Sequence, residues 1–304
     1  MISRREFLNR TAGSIATAAS IASFAREAHG KPLGMPIGSQ VYPHSARIKA
    51  GDFAGLLKDM KDIGIEQIEL DSPDYPNCVS LADGKQTKKI MDDHGIKCPS
   101  VHFTMKELRT QMPHVIEWAH LVGAVHVSTA TLAGKSEAGK TTLDEVKRAA
   151  DEFNQMGAAV AKGGMKTTLH DEIFEMAKVE DGSLVYTHLI DLLDPKTVFF
   201  QFQISSMRVV GDPIQYFNKF PGRFISMHLQ GVDVNAPLPP PPVAGAGGRA
   251  VGGRGGPQFA VGHDTLDWKA IFTAAKKGGL ENYFVEQSWD LTVQSVAYLK
   301  TLNV

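Results

Sequence analysis

Residues 198–230 read VFFQFQISSMRVVGDPIQYFNKFPGRFISMHLQ, and the fold turns on how this stretch is read. It opens and closes on strand-like runs, Val198–Ser205 and Phe224–Gln230, in which apolar and hydrogen-bonding side chains alternate. Between them, Asp212-Pro213 supplies a helix N-cap followed by proline at the first helical position. Gly222 stands where a helix stops and the chain turns back into a strand. A strand, a helix and another strand in sequence imply parallel pairing.

Outward from this unit the pattern recurs. The other strand candidates are Ile37–Tyr42, Gln67–Asp71, Ser100–Thr104, Ala124–Thr129, Lys166–Glu172 and Tyr283–Ser288. Helical spacing of apolar residues lies between them, as in Leu56, Leu57, Met60 and Ile63, or Leu143, Val146, Ala150, Phe153 and Met156. Thr142-x-x-Glu145 predicts a capping box at the start of the latter. Eight such units in about 270 residues predict an α/β fold, a single-domain (β/α)8 TIM barrel. A doubly wound open sheet is the structural alternative.

Composition narrows the function. The 304 residues carry 32 Lys+Arg against 33 Asp+Glu, so no basic excess attracts nucleic acid or an anionic bilayer. No apolar run reaches the roughly 20 residues that span a membrane. Two cysteines, Cys78 and Cys98, exclude a disulfide framework and a zinc finger, and read as small core or loop residues.

Two segments stand outside the barrel pattern. Residues 1–30 combine Ser3-Arg4-Arg5-Glu6-Phe7-Leu8 with a mildly apolar stretch, Thr11 to Ala25, and small residues beyond it. They resemble a bacterial twin-arginine (Tat) signal peptide, which implies a periplasmic or secreted protein with no stable membrane anchor after processing. Residues 235–257, NAPLPPPPVAGAGGRAVGGRGGP, show no apolar periodicity and read as an insertion after the seventh strand.

Alternation along each strand sorts the side chains into two sets. One is mostly apolar: Ile68 and Leu70, Val101 and Phe103, Val125 and Val127, Phe200, Phe202 and Ile204, Ile225, Met227 and Leu229, Tyr283 and Val285. The other is polar or ionisable: Gln40 and Tyr42, Glu69 and Asp71, His102 and Thr104, His126 and Ser128, His170 and Glu172, Gln201 and Gln203, His228 and Gln230, Glu286 and Ser288. Burying the second set without partners would cost a few kcal/mol per group, so its convergence in a barrel lumen marks a site. Imidazoles and carboxylates brought together from several strands suit one divalent metal ion such as Mn, Co or Zn, with further groups left to move protons. Gly134-Lys135-Ser136-Glu137-Ala138-Gly139-Lys140-Thr141 satisfies the phosphate-loop pattern, but no apolar strand ending in Asp follows to hold magnesium. It reads as a polar loop beside the site.

From about residue 36 to 304 the chain resembles the sugar phosphate isomerase/epimerase family with a xylose isomerase-like TIM barrel. The resemblance rests on Gly211-Asp212-Pro213-Ile214 through Lys219-Phe220-Pro221-Gly222-Arg223, on His228, on Leu266-Asp267-Trp268-Lys269-Ala270-Ile271-Phe272, and on Tyr283-Phe284-Val285-Glu286-Gln287. It implies one divalent cation at the barrel mouth, held by His228 and Glu286 with His170 and Gln203 completing the set. Gln203 stands where many relatives have Asp. Asp171 and Glu172 replace an Asn and a His, and Gln230 and Gly231 replace a Lys-Asp pair. The implied activity is isomerisation or epimerisation of a sugar or keto-sugar, by proton abstraction beside a carbonyl through a metal-stabilised enediolate. Glu286 or Glu172 would be the base, His102 would contact hydroxyls or shuttle a proton, and Glu69 and Gln230 would bind substrate. The expected partner is a small-molecule carbohydrate. A lyase or hydratase on 3-keto-glycosides uses the same abstraction, and a non-catalytic sugar-binding barrel would arise if the metal has been lost. His126 reads as a structural histidine, Glu175 as a loop support and Asp267 as an N-cap.

Overall fold

The computed structural model describes residues 30–136, 139–172, 174–237, 243–244, 250–251 and 259–304. The signal peptide expected at 1–30 thus lies outside the described residues except for Gly30, as does most of the 235–257 insertion.

Eight parallel strands close into a barrel: β1 (Gly38–Gln40), β2 (Gln67–Asp71), β3 (Lys97–His102), β4 (His126–Thr129), β5 (Lys166–His170), β6 (Val198–Gln203), β7 (Phe224–Leu229) and β8 (Asn282–Val285). Each pairs with its sequence neighbours, and β1 closes on β8 through Gly38↔Phe284 and Ser39↔Val285. The principal helices are α1 (Phe53–Ile63), α2 (Gly84–Asp93), α3 (Met112–Val122), α4 (Leu143–Lys162), α5 (Val185–Leu192), α6 (Pro213–Lys219), α7 (Trp268–Gly278) and α8 (Trp289–Leu299). This is a single-domain (β/α)8 barrel, and closure eliminates the open-sheet alternative. No helix among the described residues is long and apolar enough to cross a membrane.

Local chemistry explains the boundaries. Asp212 Oδ1 accepts the Ile214 N–H at 2.9 Å, and Asp267 caps α7 through the Ala270 N–H. Gly279 ends α7 at φ 87°, a left-handed conformation that costs glycine little. Thr142 does cap α4, but Glu145 does not complete the capping box; its carboxylate takes the Lys135 N–H and Arg148 instead. A full box forms where none was predicted, at Thr104 and Glu107.

The apolar set faces the helices. Ile68, Leu70, Val101, Phe200, Phe202, Met227 and Val285 are all fully buried against helical residues such as Leu56, Leu57 and Phe153. Val125 departs from expectation at 53% exposed, because β4 begins one residue later and leaves it at the open end. Several strands are also shorter than predicted. Tyr42 begins a helical turn, and Glu172, Gln230 and Glu286 lie just past their strands, in the loops at the C-terminal mouth.

His126 opens β4 and so sits at the opposite, N-terminal end of the barrel. Its Nε2 lies 3.0 Å from Glu281 Oε2 and its Nδ1 3.1 Å from Asn282 Nδ2. The convergence expected at the mouth therefore does not include His126. Hydrogen bonds from His126 and Lys166 draw the Glu281 carboxyl down to about 2 from an ordinary 4.5. A depressed carboxylate contributes stability above its unfolded value and loses it as pH falls. Because Glu281 is partly exposed, solvent screening reduces this to about 1 kcal/mol. Urea titrations should show Glu281→Gln less stable by that amount at neutral pH, with the gap closing below pH 4.5; a pH-independent gap would contradict the assignment.

Candidate functional site

Parallel strands place equivalent ends side by side, so polar side chains of one parity meet at the mouth. His170 ends β5, Gln203 ends β6, His228 is the penultimate residue of β7, and Glu286 follows β8. His228 Nδ1 lies 3.3 Å from Glu286 Oε2, and the His170 and His228 ring centroids are 4.7 Å apart. His170, His228 and Glu286 each offer a ligand atom within 4.8 Å of the others. Gln203 Nε2 donates to Glu286 Oε2 at 2.9 Å. All four side chains are buried.

Beneath them lies a second carboxylate, Glu69, fully enclosed. Its Oε2 meets His228 Nε2 at 2.5 Å and His102 Nε2 at 3.2 Å. Its Oε1 accepts from Ser100 Oγ at 2.6 Å and from Gln201 Nε2 at 2.8 Å. Gln201 Oε1 in turn faces His102 Nε2 at 2.8 Å. Phe284 packs edge-on to His228 from below, at 6.3 Å between centroids.

Burial alone would neutralise these groups, and mutual charge decides which resist. Glu69 is held well below the carboxylate range despite burial, because His102 and His228 face it. Burial opposes protonation of His228, but Glu69 and Glu286 outweigh it and raise its pKa to about 9. His170 is driven well below its ordinary value by burial and by the neighbouring imidazoles, so it is neutral and its ring nitrogens are available as donors to a cation.

Two buried atoms of this cluster, His170 Nδ1 and Gln203 Oε1, make no hydrogen bond, while His228 Nδ1 faces Glu286 Oε2. Orphaned buried acceptors are rare in a finished core. Together with His228 and the Glu286 carboxylate they form a nitrogen- and oxygen-donor set of the kind that holds a divalent cation, so the residues present fit one.

Other expectations need correction. Glu69 does not face a substrate: both its oxygens are engaged inside the protein. Gln230 turns its amide onto Glu286, donating to Oε2 at 2.9 Å and to the backbone carbonyl at 3.0 Å. His102 points Nε2 inward to Gln201 and Glu69 rather than outward. Glu172 lies in the loop after β5, buried at the mouth. Glu175 is a loop support as expected, accepting from Thr131 Oγ1 at 2.6 Å and Leu132 N at 2.8 Å, and burial raises it to about 7.

Two residues carry roles that the sequence reading missed. Asp171 lies outside the lumen, fully buried, where it accepts the Gln203 N–H at 3.0 Å and the Ser206 hydroxyl and ties the end of β5 to that of β6. Gly231, just past Gln230, bridges in antiparallel fashion to Phe259, which brings the chain back from the insertion onto the barrel. A β-carbon there would collide with the Phe259 and Ala260 carbonyls. Gly231→Asp is therefore expected to destabilise the protein by about 2–3 kcal/mol rather than supply an added acid. An unchanged urea midpoint would contradict this.

A cavity of about 470 Å³ opens over the C-terminal ends of β1 to β4. Tyr42, Asp71, Tyr75, Leu132 and Phe174 line it, and no Lys or Arg does so among the described residues. Gly134 and Ser136 of the phosphate-loop look-alike also border it, but the Lys135 N–H is given to Glu145 Oε1 at 3.1 Å, not left for a phosphate.

Comparison with known proteins finds no matching sequence family and no matching curated protein. Solved structures do match. A sugar phosphate isomerase/epimerase from Parabacteroides distasonis ATCC 8503 superposes with TM-score 0.64 at 20% identity, covering 88% of this chain and 94% of that one. The probable 3-DHS dehydratase AsbF from Bacillus anthracis gives 0.62 at 12% identity, covering 88% and 100%. The IOLI protein, solved with a binding zinc atom, gives 0.60 at 12% identity, covering 87% and 96%. At such identities the likeness speaks to architecture alone: the chain shares a (β/α)8 TIM-barrel fold with these proteins.

Proposed function

We propose that the protein is a metal-dependent isomerase or epimerase of a sugar or keto-sugar. The observation that carries this reading is the pair of unpartnered buried atoms His170 Nδ1 and Gln203 Oε1, gathered beside His228 and Glu286. These four residues would hold one Mn, Co or Zn ion. When bound, such an ion supplies Lewis-acid polarisation of a substrate carbonyl or hydroxyl oxygen.

The chain's own residues do the rest. Glu286 takes two amide N–H groups, from Gln203 and Gln230, on the same oxygen that faces His228. Those contacts favour a ligand role for it over that of a mobile base. Glu172, two residues beyond His170 in the mouth loop, takes the proton from the carbon beside the carbonyl and returns it to the neighbouring carbon on the same face; epimerisation would need a second acid on the opposite face. Below the cluster, linked hydroxyls of Ser100, Ser128 and Thr168 lie buried in the lumen with Phe284.

A second reading keeps the abstraction but expels a leaving group, making a lyase of 3-keto-glycosides; the cavity over β1 to β4, large enough for a departing group, favours it. The test is deuterium uptake from D2O into a panel of keto-sugars, with products identified by mass. Uptake with a rearranged sugar supports isomerisation, and uptake with a shortened product supports the lyase. No uptake by metal-loaded protein across the panel would overturn both and leave a sugar-binding barrel. We also propose export through the twin-arginine route, on the strength of Ser3-Arg4-Arg5-Glu6-Phe7-Leu8; retention in the cytoplasm when Arg4→Lys and Arg5→Lys are combined would support it, and unchanged export would refute it.

A further inference from the structure

We infer that the cavity over β1 to β4 is a subsite for an apolar, aromatic aglycone, so that the substrate is an unphosphorylated keto-glycoside; this rests on the carbohydrate reading above and narrows it. None of the four proposed ligands lines the cavity; the link to them runs through His102, whose ring lies 5.6 Å from that of His170 and 5.5 Å from that of His228. Asp71 on its floor is in register with His102 across β2 and β3, and Thr104, two residues past His102, forms part of its wall.

Size and lining set the ligand. At about 470 Å³ the space falls in the range that encloses a drug-sized molecule, more than the part of a single sugar ring left beyond the cation would fill. Tyr42, Tyr75, Met105, Leu132 and Phe174 present ring faces, edges and aliphatic surface. Phe174 is held as a wall by Gly134, where any β-carbon would strike its ring. Aromatic walls favour an aromatic guest through stacked and edge contacts. A phosphoryl group would need guanidinium, ammonium or free N–H partners. Among the described residues the lining offers no Lys or Arg.

The experiment is isothermal titration of the metal-loaded full chain with three probes: 4-nitrophenyl 3-keto-glucoside, methyl 3-keto-glucoside and 3-keto-glucose 6-phosphate. The aryl glycoside is expected to bind about tenfold or more tighter than the methyl glycoside, the increment from burying one ring. Tyr75→Ala and Met105→Ala, at half-buried positions of the wall, should each shrink that ratio while leaving methyl glycoside affinity unchanged. Equal affinity for the aryl and methyl compounds, or tightest binding of the phosphate, would overturn the subsite. So would failure of all three to bind. Deuterium uptake by free keto-sugars, which does not need the cavity, would then report separately on the parent reading.

Discussion

Glu172→Gln is expected to lower deuterium uptake by metal-loaded protein about 10²–10⁴-fold, the range for loss of a positioned general base. Metal content and sugar affinity should hold, because Glu172 lies outside the proposed ligand set. Substitution of Glu286 makes the contrast. Glu286→Gln keeps the shape but removes the only carboxylate in that set, so metal content and uptake should fall together. This pair of results separates a base from a ligand, roles that the sequence alone left open between the two residues. If Glu286→Gln kept its metal and lost only uptake, the assignments would be reversed.

Glu69→Ala is expected to cost about 3–5 kcal/mol of stability in the metal-free protein, the penalty for breaking a buried ion pair by removing one partner. Four donors, on Ser100, Gln201, His102 and His228, would lose their acceptor together. The pH dependence follows from the directions of the shifts. The depressed Glu69 contributes stability above its ordinary 4.5 and loses it as pH falls. The raised His228 contributes fully below its ordinary 6.5 and loses its share as pH rises through about 9. The deficit of Glu69→Ala should therefore be greatest between pH 4.5 and 6.5 and shrink toward pH 9. Urea unfolding of chelator-stripped protein across that range measures it, and a flat deficit would show that Glu69 acts by packing alone.

The contrast between Glu69 and Glu286 shows what the sequence could and could not carry. Strand alternation is a local property with a period of two residues, so it placed His170, Gln203, His228 and Glu286 on one side without knowledge of their partners. The β/α rhythm is also local, and it was enough for the barrel. Glu69 meets His228 across 159 residues of chain, a contact that exists only because the barrel closes with a particular stagger. The same stagger sends His126 to the far end, where it meets Glu281. Alternation told which way His126 faces but not at what height. Gly231 was legible only as a departure from a pattern. Its reason, a chain return at Phe259, lies on the other side of an insertion whose composition says nothing of where it ends. The loop position of Glu172 was likewise hidden, because period-two reasoning stops where the strand does.

Cobalt titration of chelator-stripped protein, followed by visible absorption and calorimetry, goes straight to the claim that His170, Gln203, His228 and Glu286 share one cation. One equivalent bound, with a ligand-field spectrum of mixed nitrogen and oxygen donors that is lost in His228→Ala, is the predicted result. Absence of binding by the unaltered protein, or a spectrum and stoichiometry unmoved by both His228→Ala and Glu286→Gln, would contradict it.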